Sequence, residues 1–449
     1  MKSIPEINGL PFLGNFLEYR RNKISFLSSL RDTNDDQVWF RLGSHPLLLI
    51  TNPEDIHWVE AKNAKNYVKA TNLRELVGDG ILMSEGEKWR KQRRLIQPTF
   101  HQGTILKMVD AMNRRIGGFI DELNHEIVQK GDGVIDLGFK LKKLVFEIVG
   151  EAVFGSEVGS QFDRLRESME YINVFLTQRF HQLVTVPLHF PTPSNLKFHK
   201  AKRIIDQTIF DVILKKRAEL DSGKENEDII TKMMIARDPE TGESMSLHQL
   251  RDEVASMMLA GFETTGLLLP WILHLVSNNS EVQKDLHSEI DQVLGRRVPN
   301  GGDTFQLSFL NNVVDETLRL YPPVWAWTKR AIHSDVLRGS SIKAGSILFI
   351  SPYLVHRHPK IWESPNDFKP SRWTSELRER TKLSFFPFGM GPRTCVGKHL
   401  ALMEVKLILI HFFQSFSVAP CGDLEVKPDF QVTLGMKESL RLKISRRRS

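Results

Sequence analysis

A chain of 449 residues, 41% hydrophobic and 26% charged, has the composition of a globular protein with a large core, which excludes a disordered tail or a collagen-like repeat. A formal charge of +7 is compatible with an acidic partner, but no helix-turn-helix, zinc-finger or aromatic RNA-binding signature accompanies it, so no nucleic-acid partner is expected. Two cysteines, Cys395 and Cys421, cannot build a disulfide framework; they point to a reducing, cytoplasmic setting and leave a single 395–421 bridge as the alternative.

The opening IPEINGLPFLGN has no apolar stretch ahead of its prolines and does not read as a signal peptide. QVWFRL and LLLIT flank the turn-rich Gly43-Ser44-His45-Pro46, which predicts an antiparallel hairpin. From about residue 86 to 290, apolar residues recur at spacings of three and four, as in ILKMVDAMNRRIGGFIDEL and LKKLVFEIVGEAVF, and the stretch is expected to be helical. Ser246 and Gln249 stand in capping-box spacing at the start of a long apolar helix. Its best uninterrupted apolar run, Gly266 to Val276, is shorter than the roughly 18 residues of a membrane span and contains Pro270, expected to kink it. Strand character returns in SILFIS (Ser346 to Ser351) and after Phe430. With no linker or shift of composition, the expected organisation is a single domain over 1–449, mainly α with a small β lobe. Its β-rich portion covers about 35–52 and 325–352, and its α-rich portion about 86–320 and 395–415.

Several strings carry chemistry. The run KWRKQRR at 88–94 is a basic helix face, solvated or docking. Ala260-Gly261-x-Glu263-Thr264-Thr265, in the middle of the long helix, combines a small pair that lets a ligand approach with an acid and a hydroxyl that can pass protons; ordinary helix packing is the other reading. Glu316 and Arg319 lie three apart and can pair on one helix face, as many surface residues do. His356 and His358 in VHRHP lack the companions of a zinc site and read as loop histidines. In FPFGMGPRTCVGKHLALMEVKLILIHFF, a glycine-rich loop brings Cys395 to the start of an apolar helix, where free N–H groups and the helix dipole favour a thiolate. A thiolate is a strong axial ligand for haem iron; a buried, inert cysteine is the alternative.

The string Phe388-Gly389-x-Gly391-x-Arg393-x-Cys395-x-Gly397 resembles the cysteine-ligand loop of the cytochrome P450 family at each defining position, and AGxETT resembles that family's oxygen-binding helix. The resemblance implies the P450 fold, with a long central helix over haem and short N- and C-terminal sheets. It implies haem b with Cys395 as the iron ligand, Phe388 near the sulfur, Gly397 at the helix mouth and Ala260 beside the cofactor. Trp89, Arg93, Arg330 and Arg393 are then the partners of the haem carboxylates, with Lys329 a rival to Arg330. Glu316, Arg319 and Arg372 (in FKPSRW) become a buried brace for the cysteine loop, and Glu263 and Thr264 deliver protons, Thr265 being expected to tolerate alanine better.

The implied reaction is monooxygenation: one oxygen atom enters a hydrophobic small molecule of the fatty acid, terpenoid or steroid class, and the other leaves as water. Electrons are expected from a separate ferredoxin, flavodoxin or reductase, an acidic one associating faster at low salt through the basic run. A haem-thiolate isomerase or dehydratase, and a non-catalytic haem sensor, are the other classes. Pocket-shaping segments are expected near Thr71 to Ser84 and Asn173 to Pro193.

Overall fold

The computed structural model describes residues 3–33, 36–70, 73–131, 133–155, 162–180, 186–224, 228–422 and 426–447. Of the expected pocket segments, Thr71, Asn72 and residues 181–185 lie outside the described residues. The chain divides into two compact units, Met1–Asn72 with Leu318–Cys395, and Leu73–Thr317 with Val396–Ser449.

The first unit is built on a five-stranded sheet in the order Gln37–Leu42, His45–Ile50, Ile347–Ile350, Trp327–Ala331, Tyr67–Lys69. The hairpin forms as expected, with Gln37 opposite Ile50 and only Gly43-Ser44 left as the turn. SILFIS supplies a central strand that lies parallel to the second hairpin strand, Leu47 opposite Ile347. Tyr67–Lys69, absent from the sequence reading, is three residues long and thus too short to show a period of two. Alternation puts Leu48, Ile50, Leu348 and Ile350 into a core shared with Ile56, Tyr67, Val355 and Phe386, against which Trp327 and Met390 pack. The core of this unit therefore reaches the cysteine loop at Phe386 and Met390.

The second unit is helical. Its long helix, Leu247–Ser277, starts where the capping pattern placed it, with the Ser246 hydroxyl accepting the Gln249 N–H at 3.2 Å, and it continues through Pro270. It packs chiefly against Leu137–Phe154, where Phe146 meets Phe262 edge-to-face with ring centres 5.0 Å apart. Among the described residues this is the helix long and apolar enough to cross a membrane, yet 67% of its most apolar stretch is buried inside the protein, as in a core helix. The cysteine-proximal helix Lys398–Ser415 packs against Val109–Lys130 and Ser280–Val293. A three-stranded sheet joins Val134–Asp136, Arg441–Arg446 and Phe416–Pro420; the first of these interrupts the stretch expected to be wholly helical, and its Asp136 then caps the next helix by accepting the Gly138 N–H at 3.2 Å.

Candidate functional site

The cysteine loop belongs to the first unit. Its local fold is a chain of backbone hydrogen bonds, Gly389 N–H to the Phe386 carbonyl at 3.0 Å and Cys395 N–H to the Phe388 carbonyl at 2.9 Å. Gly391, at φ 68°, packs so closely on the chain at Glu60 that a Cβ would stand 2.1 Å from the Glu60 carbonyl oxygen; no other residue fits there. The Glu60 side chain is itself held, by the Trp327 indole N–H at 2.8 Å and the Lys329 ammonium at 3.2 Å. Neither the exposed Cys395 nor Cys421 is disulfide-bonded, so the 395–421 bridge does not form. Two residues after Cys395, Gly397 is the N-cap of Lys398–Ser415. Phe388 and Arg393 are half-buried in the loop.

Strand alternation separates Arg330 from its rival. In Trp327–Ala331 the Lys329 side chain is buried and committed to Glu60, whereas Arg330 is exposed on the opposite face.

Arg319 is fully buried and donates to the carbonyls of His356 (2.8 Å), Pro365 (2.6 Å) and Asp367 (3.1 Å). Arg372 donates to the carbonyls of Glu363 (2.7 Å), Ser364 (3.1 Å) and Asp367 (3.1 Å). Glu316, one turn before Arg319 on Ser308–Leu320, is also fully buried. The two histidines of VHRHP are engaged separately: His356 accepts the Phe386 N–H, and His358 accepts the Lys360 N–H and faces Asp36 at 3.5 Å.

The turn from Ala260 to Thr265 belongs to the second unit. Thr264 donates to the Ala260 carbonyl at 2.8 Å, and Ala260 is exposed on a helix whose neighbouring turns are buried. Glu263 is buried; desolvation pushes its carboxyl up from the ordinary range, opposed by the charge of Lys142 and by hydrogen bonds from Thr433 (3.3 Å) and Asn173. Thr265 points inward, where its hydroxyl meets Glu404, a fully buried carboxyl on Lys398–Ser415 that burial holds well above the ordinary range. Thr265 is therefore a core residue, and alanine there would take a hydroxyl partner from a buried carboxyl. Glu404 was missed in the sequence, although an acid inside LALMEVKLILI was a visible signal. Glu253, ten residues before Glu263, was missed too; it accepts the Ile81 N–H at 2.7 Å.

Trp89 and Arg93 lie half-buried on Gly86–Ile96, Arg93 donating to the Gln97 side chain at 3.1 Å. The rest of the basic run is matched by acids: Lys88 with Asp79 at 2.8 Å, Arg94 with Asp238 at 3.0 Å and Glu240 at 2.9 Å, Arg90 with Glu87, and Lys91 with Glu243.

In the first unit the exposed Cys395 stands just ahead of a helix start, and in the second Ala260 is exposed on a helix whose neighbouring turns are buried. Among the described residues no three His, Cys, Asp or Glu side chains gather to hold a metal ion directly. The sequence profile of one family, cytochrome P450, matches residues 4–444. The chain belongs to the cytochrome P450 family. It is a haem-thiolate monooxygenase of that family. Similar relatives include cyclooctatin synthase of Streptomyces melanosporofaciens, 30% identical across 95% of this chain and 92% of the relative. Pentalenene oxygenase of Streptomyces avermitilis is 28% identical across 98% and 96%. The solved structure of the cytochrome P450DA heme domain shares the P450 fold, with a TM-score of 0.88 and 24% identity over 99% of this chain and 98% of that one.

Proposed function

We propose that this P450 oxygenates a terpenoid, inserting one atom of dioxygen into a hydrocarbon-like skeleton, with electrons from a separate ferredoxin, flavodoxin or reductase. One observation carries the substrate class: relatives named for cyclooctatin, cyclooctat-9-en-7-ol and pentalenene align over more than nine-tenths of this chain. Fatty acids and steroids are the neighbouring classes. The proposal extends to all 449 residues acting as one catalytic domain in the cytoplasm.

The cofactor is proposed to be haem b, because no C-x-x-C-H attachment motif occurs and the cysteine of the loop is held in no disulfide. When bound, haem supplies dioxygen activation. Cys395 would hold it by its thiolate, Arg393, Arg330, Arg93 and Trp89 by its carboxylates, and Phe388, Ala260 and Gly397 by contact. Glu316, Arg319 and Arg372 would brace the loop. Thr264 would supply a hydroxyl donor at the exposed turn, and Glu263, its carboxyl raised by burial, would be the acid that replenishes the proton.

The test is a panel of terpene hydrocarbons and alcohols, fatty acids and steroids, scored by the spin-state shift of the ferric haem and then by product carrying label from isotopic dioxygen. Labelled product from a terpene supports the proposal; turnover confined to fatty acids or steroids overturns the substrate class. Substrate-dependent NAD(P)H oxidation with added reductase separates the other classes, since an isomerase turns over without electrons and a sensor does not turn over.

A further inference from the structure

His356 is fully buried, and its two ring nitrogens do different things. Nε2 accepts the Phe386 N–H at 3.0 Å, so that nitrogen carries no proton. The proton sits on Nδ1, which faces the carbonyls of Leu318 and Arg319 without closing a full hydrogen bond. Burial, and then the charges of Arg319 and Arg357, drive the imidazole well below its ordinary range, so the ring stays neutral. The ring lies against Phe385 and Phe386 with centres 5.3 and 5.2 Å away. The His356 carbonyl meanwhile accepts from Arg319 at 2.8 Å.

These contacts form one path. Arg319 holds the His356 backbone, His356 holds the Phe386 amide, the Phe386 carbonyl takes the Gly389 N–H at 3.0 Å, and the Phe388 carbonyl takes the Cys395 N–H at 2.9 Å. A water molecule cannot stand in for Nε2 without entering the apolar core that encloses Phe386. We propose that His356 is a positioning residue for the thiolate: its bare Nε2 sets where the Phe386–Gly389 turn begins, and so where the Cys395 sulfur is presented. The inference rests on Cys395 being the iron ligand.

His356→Phe keeps a buried ring and removes the acceptor, whereas His356→Gln places an amide oxygen at about the reach of Nε2. In holoprotein of equal haem content, the ratio of ferrous–carbon monoxide protein with the red-shifted thiolate band to protein without it should fall roughly 5- to 150-fold in the Phe variant, the cost of an unsatisfied buried N–H. The Gln variant should recover most of that ratio. A Phe variant with the parental ratio, or a Gln variant no better than Phe, overturns the proposal. Should the Phe variant not fold, amide hydrogen exchange in the parent holoprotein decides: slow exchange at Phe386 supports the bond, and exchange as fast as in exposed loops overturns it. A parent without the thiolate band would remove the Cys395 reading instead, leaving the Phe386 exchange to judge His356.

Discussion

The guanidiniums of Arg319 and Arg372 converge on one acceptor, each donating to the Asp367 carbonyl at 3.1 Å. Between them they also engage the carbonyls of Glu363, Ser364, Pro365 and His356, so two charged forks pin a segment that has no regular secondary structure of its own. Arg372→Ala should lower stability by about 1.5–3 kcal/mol, the usual worth of hydrogen bonds to a charged group. Haem should also be lost faster on dilution. Denaturant midpoints and haem-transfer rates check this, and unchanged values would remove Arg372 from the brace.

Thr264 and Thr265 are adjacent and should fail in different ways. Thr264→Ala removes an exposed-turn hydroxyl whose partner is a carbonyl of its own helix, so folding should change by less than about 1 kcal/mol while product falls and hydrogen peroxide rises. Loss of a proton donor of this kind is worth about 10²–10⁴ in the proton-transfer step. Thr265→Ala leaves the buried Glu404 without its hydroxyl partner and should cost about 1–3 kcal/mol of stability. Measuring product, peroxide, cofactor oxidation and melting temperature on both variants separates the two roles.

Much of this was readable from the sequence where the signal is local. The capping pair Ser246–Gln249, the hairpin around Gly43-Ser44 and the loop from Phe388 to Gly397 each lie within a few residues of chain, and each stands where it was expected. What was illegible depends on distant partners. Val134–Asp136 is a strand because Arg441–Arg446 lies beside it, and Lys329 rather than Arg330 turns inward because of the register with Ile347–Ile350. His356, Thr265 and Glu404 acquire their meaning from what they touch across the fold.

Glu253 should make stability depend on pH. Burial pushes its carboxyl from 4.5 up to about 8, against the pull of the Ile81 N–H; Asp252 nearby adds to the rise and Lys88 opposes it. Between those two values the unfolded chain has released a proton that the folded protein keeps, so stability falls as pH rises, by about 1.4 kcal/mol per pH unit, and levels off above the folded value. Glu253→Gln keeps an acceptor for Ile81 and cannot ionise. It should gain on the parent steadily from about pH 5 to pH 8, and parallel stability curves would show that Glu253 does not hold that proton.

The basic run at 88–94 should steer an electron donor less than its composition suggests, because Lys88, Arg90, Lys91 and Arg94 already face carboxylates of their own unit. Raising ionic strength should slow reduction by an acidic ferredoxin less than about tenfold, the low end of electrostatic steering. A fall of about a hundredfold or more would restore this helix as a strongly positive docking face.

The central claim is that Cys395 binds haem iron as a thiolate, and the ferrous–carbon monoxide spectrum tests it most directly. The parent protein is expected to show the strongly red-shifted Soret band of thiolate ligation, and Cys395→His, measured at equal haem content, to lose it. Retention of that band in Cys395→His would contradict the account.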